Sequence, residues 1–139
     1  MAEGNLTTLE VPSGKDLGVS SSQIHSHLEL LAEMGQSFAS TGDLNESLYK
    51  AVERITESVD AEGGALFLID DTGAYLDCLA CVGPTEITGL RLSHDQGIVG
   101  HSVQNNEGRI VRDVSKDPNF HQGVDEQTGH TTKSILCAP

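Results

Sequence analysis

Along the chain, apolar residues first recur at helical steps and then collect into short runs divided by turn residues. Residues 1–19 show neither pattern. Gly, Pro and polar residues follow one another there without period, which predicts a flexible lead. At Ser20 a register begins. Ser20 and Gln23 have the spacing of a capping box, and Ile24, Leu28, Leu31, Met34 and Phe38 then recur at three- and four-residue steps. The spacing predicts an amphipathic connecting helix over 20–40. Its stripe suits packing on its own domain or pairing with a second copy.

Gly42 breaks the pattern, and Asp43 offers the next cap with Glu46 three residues on. Leu44, Leu48, Val52, Ile55 and Val59 form the stripe of a second helix. "DAEGG" ends it, "ALFLI" reads as a buried strand, "DDTG" as a hairpin turn and "AYLDCLACV" as the returning strand. Further on, "LRLS", "RIVRDV" and "SILCA" read as strands, with a short helix entered near Gly97. "QGVDEQTGHTTK" is a polar loop with room for a single helical turn. No βαβ signature occurs, so the order predicts an α+β domain over 41–139, with helices on one face of an antiparallel sheet.

Composition narrows the picture. With 139 residues the chain suffices for one domain with one core. Apolar residues make up 37%, aromatics 4%, and Trp is absent, so the core rests on Leu, Ile, Val and Ala. A net charge of −13 argues against nucleic acid, whose phosphates call for Lys and Arg, and against anionic membrane surfaces. No stretch approaches the ~20 apolar residues of a membrane span. The first residues lack the basic start and apolar block of a secretory signal, so a cytoplasmic location is expected.

Cys78, Cys81 and Cys137 are an odd set. "CLAC" has the spacing of a redox or zinc half-motif but lies in a strand, where residues three apart point to opposite faces. Three buried, reduced thiols are expected.

The search for catalysis finds no constellation. Ser102 follows His101 without the G-x-S-x-G elbow. The histidines have no metal spacing such as H-E-x-x-H, and "GIVGHS" lacks the Lys of a phosphate loop. Binding is better supported. "DQGIVGHS" puts two glycines at a helix start, where exposed N–H groups favour an anion. Asp125, Thr128 and Thr132 fall at steps of three and four, so one helical turn would set a carboxylate and two hydroxyls on a face. The alternative is that these residues simply cap and turn the chain.

The motifs "ALFLIDDTGAYL" and "RLSHDQGIVGHSVQNNEGRIVRDVSKDPNFHQGVDEQTGHTTKSILCAP" resemble a GAF domain in content and order. The shared pattern is G-I-(A/V)-G, V-x-D, D-P-x-F, V-D-x-x-T-G and (T/R)-(R/K)-S-I-L-C-x-P. The chain is most similar to the type found in cyclic-nucleotide phosphodiesterases, bacterial nucleotidyl cyclases and signalling phosphatases. That resemblance implies a six-stranded antiparallel sheet backed by helices, a small-molecule pocket on its other face, a regulatory role rather than an enzymatic one, and no cofactor. It implies that Ile98 and Val99 line the pocket with backbone groups, that His121 neighbours a base, and that Asp125, Thr128 and Thr132 belong to a lid. Ala65 falls where some binders carry a hydroxyl, and Val82 near where they carry an acid that reads guanine; both departures weigh against cyclic GMP. The expected partners are a small molecule such as a cyclic nucleotide, and a second copy joined through the leading helices. A ligand-free dimerisation domain is the alternative. A free methionine sulfoxide reductase shares the fold but needs cysteines on the pocket loops. The family continues past "SILCAP" with a further strand and a closing helix, so the expectation is a chain cut short, its output domain lying further on, or a last strand supplied by another chain.

Overall fold

The structure, a computed structural model, describes residues 20–40 and 42–139; the lead expected at 1–19 lies outside the described residues. The chain divides into two units, residues 1–40 and 41–139. In the first, helix α1 runs over Ser21–Ser40. The Ser20 N–H donates to Gln23 Oε1 at 2.9 Å, and the Gln23 N–H donates back to Ser20 Oγ at 3.3 Å, closing the capping box. No residue of α1 is buried, and Ile24, Leu28, Leu31 and Phe38 stand exposed.

The second unit opens with α2 (Leu44–Ser58), where Asp43 Oδ1 accepts the Asn45 N–H at 2.8 Å. Glu46 turns away from the cap to meet Lys50 at 2.6 Å. The buried face of α2 is Ser47, Ala51 and Val52, while Leu44, Ile55 and Val59 are exposed. This face is rotated from the expected stripe because the helix lies close on the sheet. At Gly64 a Cβ would collide with Thr56 Oγ1 and crowd Val52, so only small residues fit between the layers.

Strands β1 (Gly64–Ile69), β2 (Tyr75–Val82) and β3 (Arg91–Ser93) form one antiparallel sheet in that order. Between β1 and β2 the Asp70 carboxylate accepts the N–H groups of Ala74 and Tyr75 at 3.1 and 3.2 Å, fixing the expected turn. Then come α3 (Gly97–Asn105), β4 (Arg109–Val111), a 3-10 turn (Val114–Lys116), α4 (Gly123–Thr128) and β5 (Ile135–Cys137). β4 and β5 pair antiparallel as a separate two-stranded sheet. The fold is α+β and antiparallel, as expected, but the described strands make two sheets rather than one. β1 pairs only with β2, β5 only with β4, and no described strand bridges them.

Leu76, Cys78, Ala80 and Cys81 of β2 are buried, as are Ala51 and Val52 of α2. Ile98, Val111 and Val114 form a core cluster, with Phe120, Ile135 and Cys137 packed against it. On the opposite face of the small sheet, the cross-strand pair Ile110 and Leu136 is 75% and 61% exposed. Among the described residues no helix is long and apolar enough to cross a membrane.

One expectation about the cysteines is corrected by the register. Leu66 pairs with Ala80 and Phe67 with Cys78, which leaves Leu79 as a bulge. Cys78 therefore opposes Phe67, and Cys81 opposes Ala65, two residues apart on β1. The bulge cancels the alternation, and both thiols come to one face of the sheet. Both are free and buried; Cys137 is free and half-buried.

Candidate functional site

The segment "DQGIVGHS" becomes the entry to α3 because its second glycine allows a close approach. A Cβ on Gly100 would lie 2.7 Å from the His94 carbonyl oxygen, so the helix can seat on the 94–95 turn only without a side chain there. That seating drives Ile98 into the core at 3% exposure, and leaves Val99 half-buried beside it. The C-terminal end is held by Ser102, whose buried hydroxyl donates to the Glu107 carbonyl. Asn106, in the left-handed conformation at φ 50°, stops the helix.

The segment that follows "DPNF" returns to this helix start. Asp117 anchors it from below, accepting the Asn119 N–H at 2.8 Å through Oδ1 and Arg109 Nη2 at 3.0 Å through Oδ2. His121 then lies beside Gly97: its Cβ is 3.8 Å from where a Gly97 Cβ would stand. Its Nδ1 accepts the Gly123 N–H at 3.1 Å.

Asp125 and Thr132 meet through two hydrogen bonds. Thr132 Oγ1 donates to Asp125 Oδ1 at 2.6 Å, and the Thr132 N–H donates to Asp125 Oδ2 at 2.7 Å. The bond ties α4 to the extended chain that leads into β5. Thr128 sits on the same helical turn but aims its hydroxyl at the Val124 carbonyl, 2.9 Å away, a back-bond that competes with any outward role. The structure thus brings His121 to the start of α3 and clasps Asp125 to Thr132. Ala65 is exposed on β1, on the sheet face away from α2, since its neighbour Gly64 points at that helix.

Sequence reasoning missed two polar contacts at this helix. His94 Nε2 and Gln104 Nε2 lie 3.3 Å apart, linking the turn before α3 to the helix, and Asn105 Nδ2 reaches both His101 Nδ1 and the His101 carbonyl at 2.7 Å. The i, i+4 spacing of His101 and Asn105 was visible in the sequence; the His94 contact, ten residues long, was not. The thiols do not supply chemistry here. Burial pushes Cys78 up to about 11, with the neighbouring Cys81 adding to the effect, so it stays protonated near neutral pH.

Comparison with known proteins fits this architecture. Residues 43–139 match the GAF domain. The chain is 29% identical over 125 residues to a dual 3',5'-cyclic-AMP and -GMP phosphodiesterase 11A of Takifugu rubripes, covering 83% of this chain and 14% of the relative. It therefore spans a small part of that protein's length. Among solved structures it is similar to the GAF domain of a phosphoenolpyruvate-protein phosphotransferase from Coxiella burnetii, with a TM-score of 0.68, 23% identity and coverage of 78% of this chain and 66% of the other. It is also similar to free methionine-R-sulfoxide reductase from Neisseria meningitidis, with a TM-score of 0.65, 19% identity and coverage of 87% and 68%. At such identities the two structures speak for the fold alone, while the match over 43–139 takes in α2, both sheets and the Asp125–Thr132 clasp: the chain belongs to the GAF domain family.

Proposed function

We propose that this GAF domain is the sensing module of a cytoplasmic signal-transduction protein, and that it takes a cyclic nucleotide beneath residues 121–132. The observation that carries the reading is the clasp between Asp125 and Thr132. It joins α4 to the chain before β5 through one carboxylate, and a carboxylate and hydroxyl so held are the groups that a base N–H and a phosphate oxygen would engage. Ligand entry would exchange these bonds for bonds to the nucleotide, and so bias the segment between two arrangements. Ile98 and Val99 offer backbone groups at the α3 start, and His121 lies next to Gly97 in position to flank a base. The kinship with a phosphodiesterase named for cyclic AMP and cyclic GMP supports this ligand class. Ala65 and Val82, neither of which can read guanine by hydrogen bonding from its side chain, favour adenine.

The output domain would lie in the remainder of the protein and would be a cyclase, a phosphatase or a phosphodiesterase. The exposed stripe of α1 would pair two copies. Titration calorimetry of the 139-residue chain against cyclic AMP and cyclic GMP is the test. Heat with cyclic AMP that disappears in Asp125→Ala is expected; no heat with either nucleotide removes this reading.

A second reading, a ligand-free dimerisation domain, is favoured by one observation: the hydroxyls of Thr128 and Thr132 already have acceptors within the domain. It predicts no heat with either nucleotide, and a dimer by sedimentation that Leu28→Glu dissociates.

A further inference from the structure

Residues of the 109–118 segment line an open surface depression of about 500 Å³. None of the lid residues lines it. Its chemistry is unusual for this chain. The whole sequence has eight Lys and Arg against 21 Asp and Glu, yet Arg109, Arg112 and Lys116 all line this one depression. Two carboxylates line it as well, and each is matched. Lys116 meets Asp113 at 2.8 Å, and Arg109 Nη2 donates to Asp117 at 3.0 Å. Among the described residues Arg112 has no acceptor, so one positive charge is left over. Arg109 Nη1, buried without a hydrogen-bond partner, is shut off from solvent and offers the depression no donor. Ile110 and Pro118 contribute an apolar wall.

We infer that this depression binds a small organic monocarboxylate, its carboxylate held by the Arg112 fork and its apolar body resting on Ile110 and Pro118. The planar guanidinium matches a carboxylate with two parallel hydrogen bonds. The single surplus charge selects a monoanion, since a second negative charge would sit against Asp113 and Asp117. The site is independent of whatever occupies the lid.

The test is a titration of the ¹⁵N-labelled chain with butyrate and with benzoate at constant ionic strength, reading the amides of 109–118 and the arginine Nε signals. Inorganic phosphate and chloride form the comparison arms. Saturable shifts confined to 109–118 are expected. Arg112→Gln should weaken binding about tenfold, or ~1.4 kcal/mol, and Arg112→Lys by less, with the rest of the spectrum unchanged in both. Arg112 is exposed, so neither variant disturbs a core. The inference is overturned if the shifts fail to saturate, if both variants bind as well as the parent, or if phosphate binds more tightly than the carboxylates.

Discussion

Asp125 grips Thr132 with both carboxylate oxygens, one on the hydroxyl and one on the backbone N–H, seven residues along the chain. Bonds to an ionised carboxylate that is partly withdrawn from water are worth more than neutral ones, at about 1.5–3 kcal/mol. Asp125→Ala should therefore destabilise the domain by roughly that amount, and Thr132→Val by less, because the backbone N–H bond survives. A double-mutant cycle in urea should return a coupling energy clearly above the noise. Additive losses would show that the two residues act separately. Hydrogen exchange at the Thr132 amide should quicken in Asp125→Ala.

Acid should loosen the domain through its paired carboxylates. The Arg91 guanidinium holds Asp77 below its ordinary value of 3.8 through two bonds of 2.6 Å, and Lys116 does the same for Asp113. A carboxyl whose folded value is depressed stabilises the fold above its unfolded value, and that contribution fades as pH falls through the folded one. The melting temperature should stay level from neutral pH to about 5 and fall steeply below 4. Asp77→Asn should flatten part of that fall. A profile that the substitution leaves unchanged would remove Asp77 from the account.

The three thiols should be told apart by labelling. Cys78 and Cys81 are buried, and burial raises Cys78 to about 11. Cys137 is half-buried on β5. With iodoacetamide at neutral pH, Cys137 should react first, and Cys78 only at the rate of global opening. A raised thiol value also sets an alkaline limit. The Cys78 contribution to stability is intact below the ordinary value of 9.0 and fades as pH climbs toward 11.

What could be read from the sequence follows from how local each signal is. Both helix caps and the Asp70 turn involve residues within five positions of each other, and all three formed as expected. The Asp125 and Thr132 spacing, seven residues, was legible as well, although it was read as one helical face and became a clasp between a helix and the extended chain. The buried face of α2 was misread because it depends on how near the helix lies to Gly64, a distance set by tertiary packing. The Leu79 bulge was invisible, since nothing in "CLAC" marks which residue the pairing will skip. The division into two sheets is likewise a matter of which strands meet, not of what each strand is.

Two glycines inside helices should respond in opposite directions to the same substitution. Gly35 lies within α1 and nothing stands within 4 Å of a Cβ added there. Gly35→Ala should therefore gain the ordinary helix preference of about 1 kcal/mol, seen as greater helicity by circular dichroism. Gly100 lies within α3, where the same propensity gain exists, but its Cβ would stand 2.7 Å from the His94 carbonyl oxygen and 2.9 Å from the Asp95 carbonyl carbon. Both are backbone atoms and cannot rotate aside. Relief requires α3 to lift from the 94–95 turn, which would draw Ile98 out of its core and separate Gly97 from His121. Overpacking of this kind costs about 1–3 kcal/mol, more than the propensity returns, so Gly100→Ala should lower the urea midpoint. If it raises the midpoint instead, α3 is not seated on that turn, and the approach of His121 to the helix start falls with it.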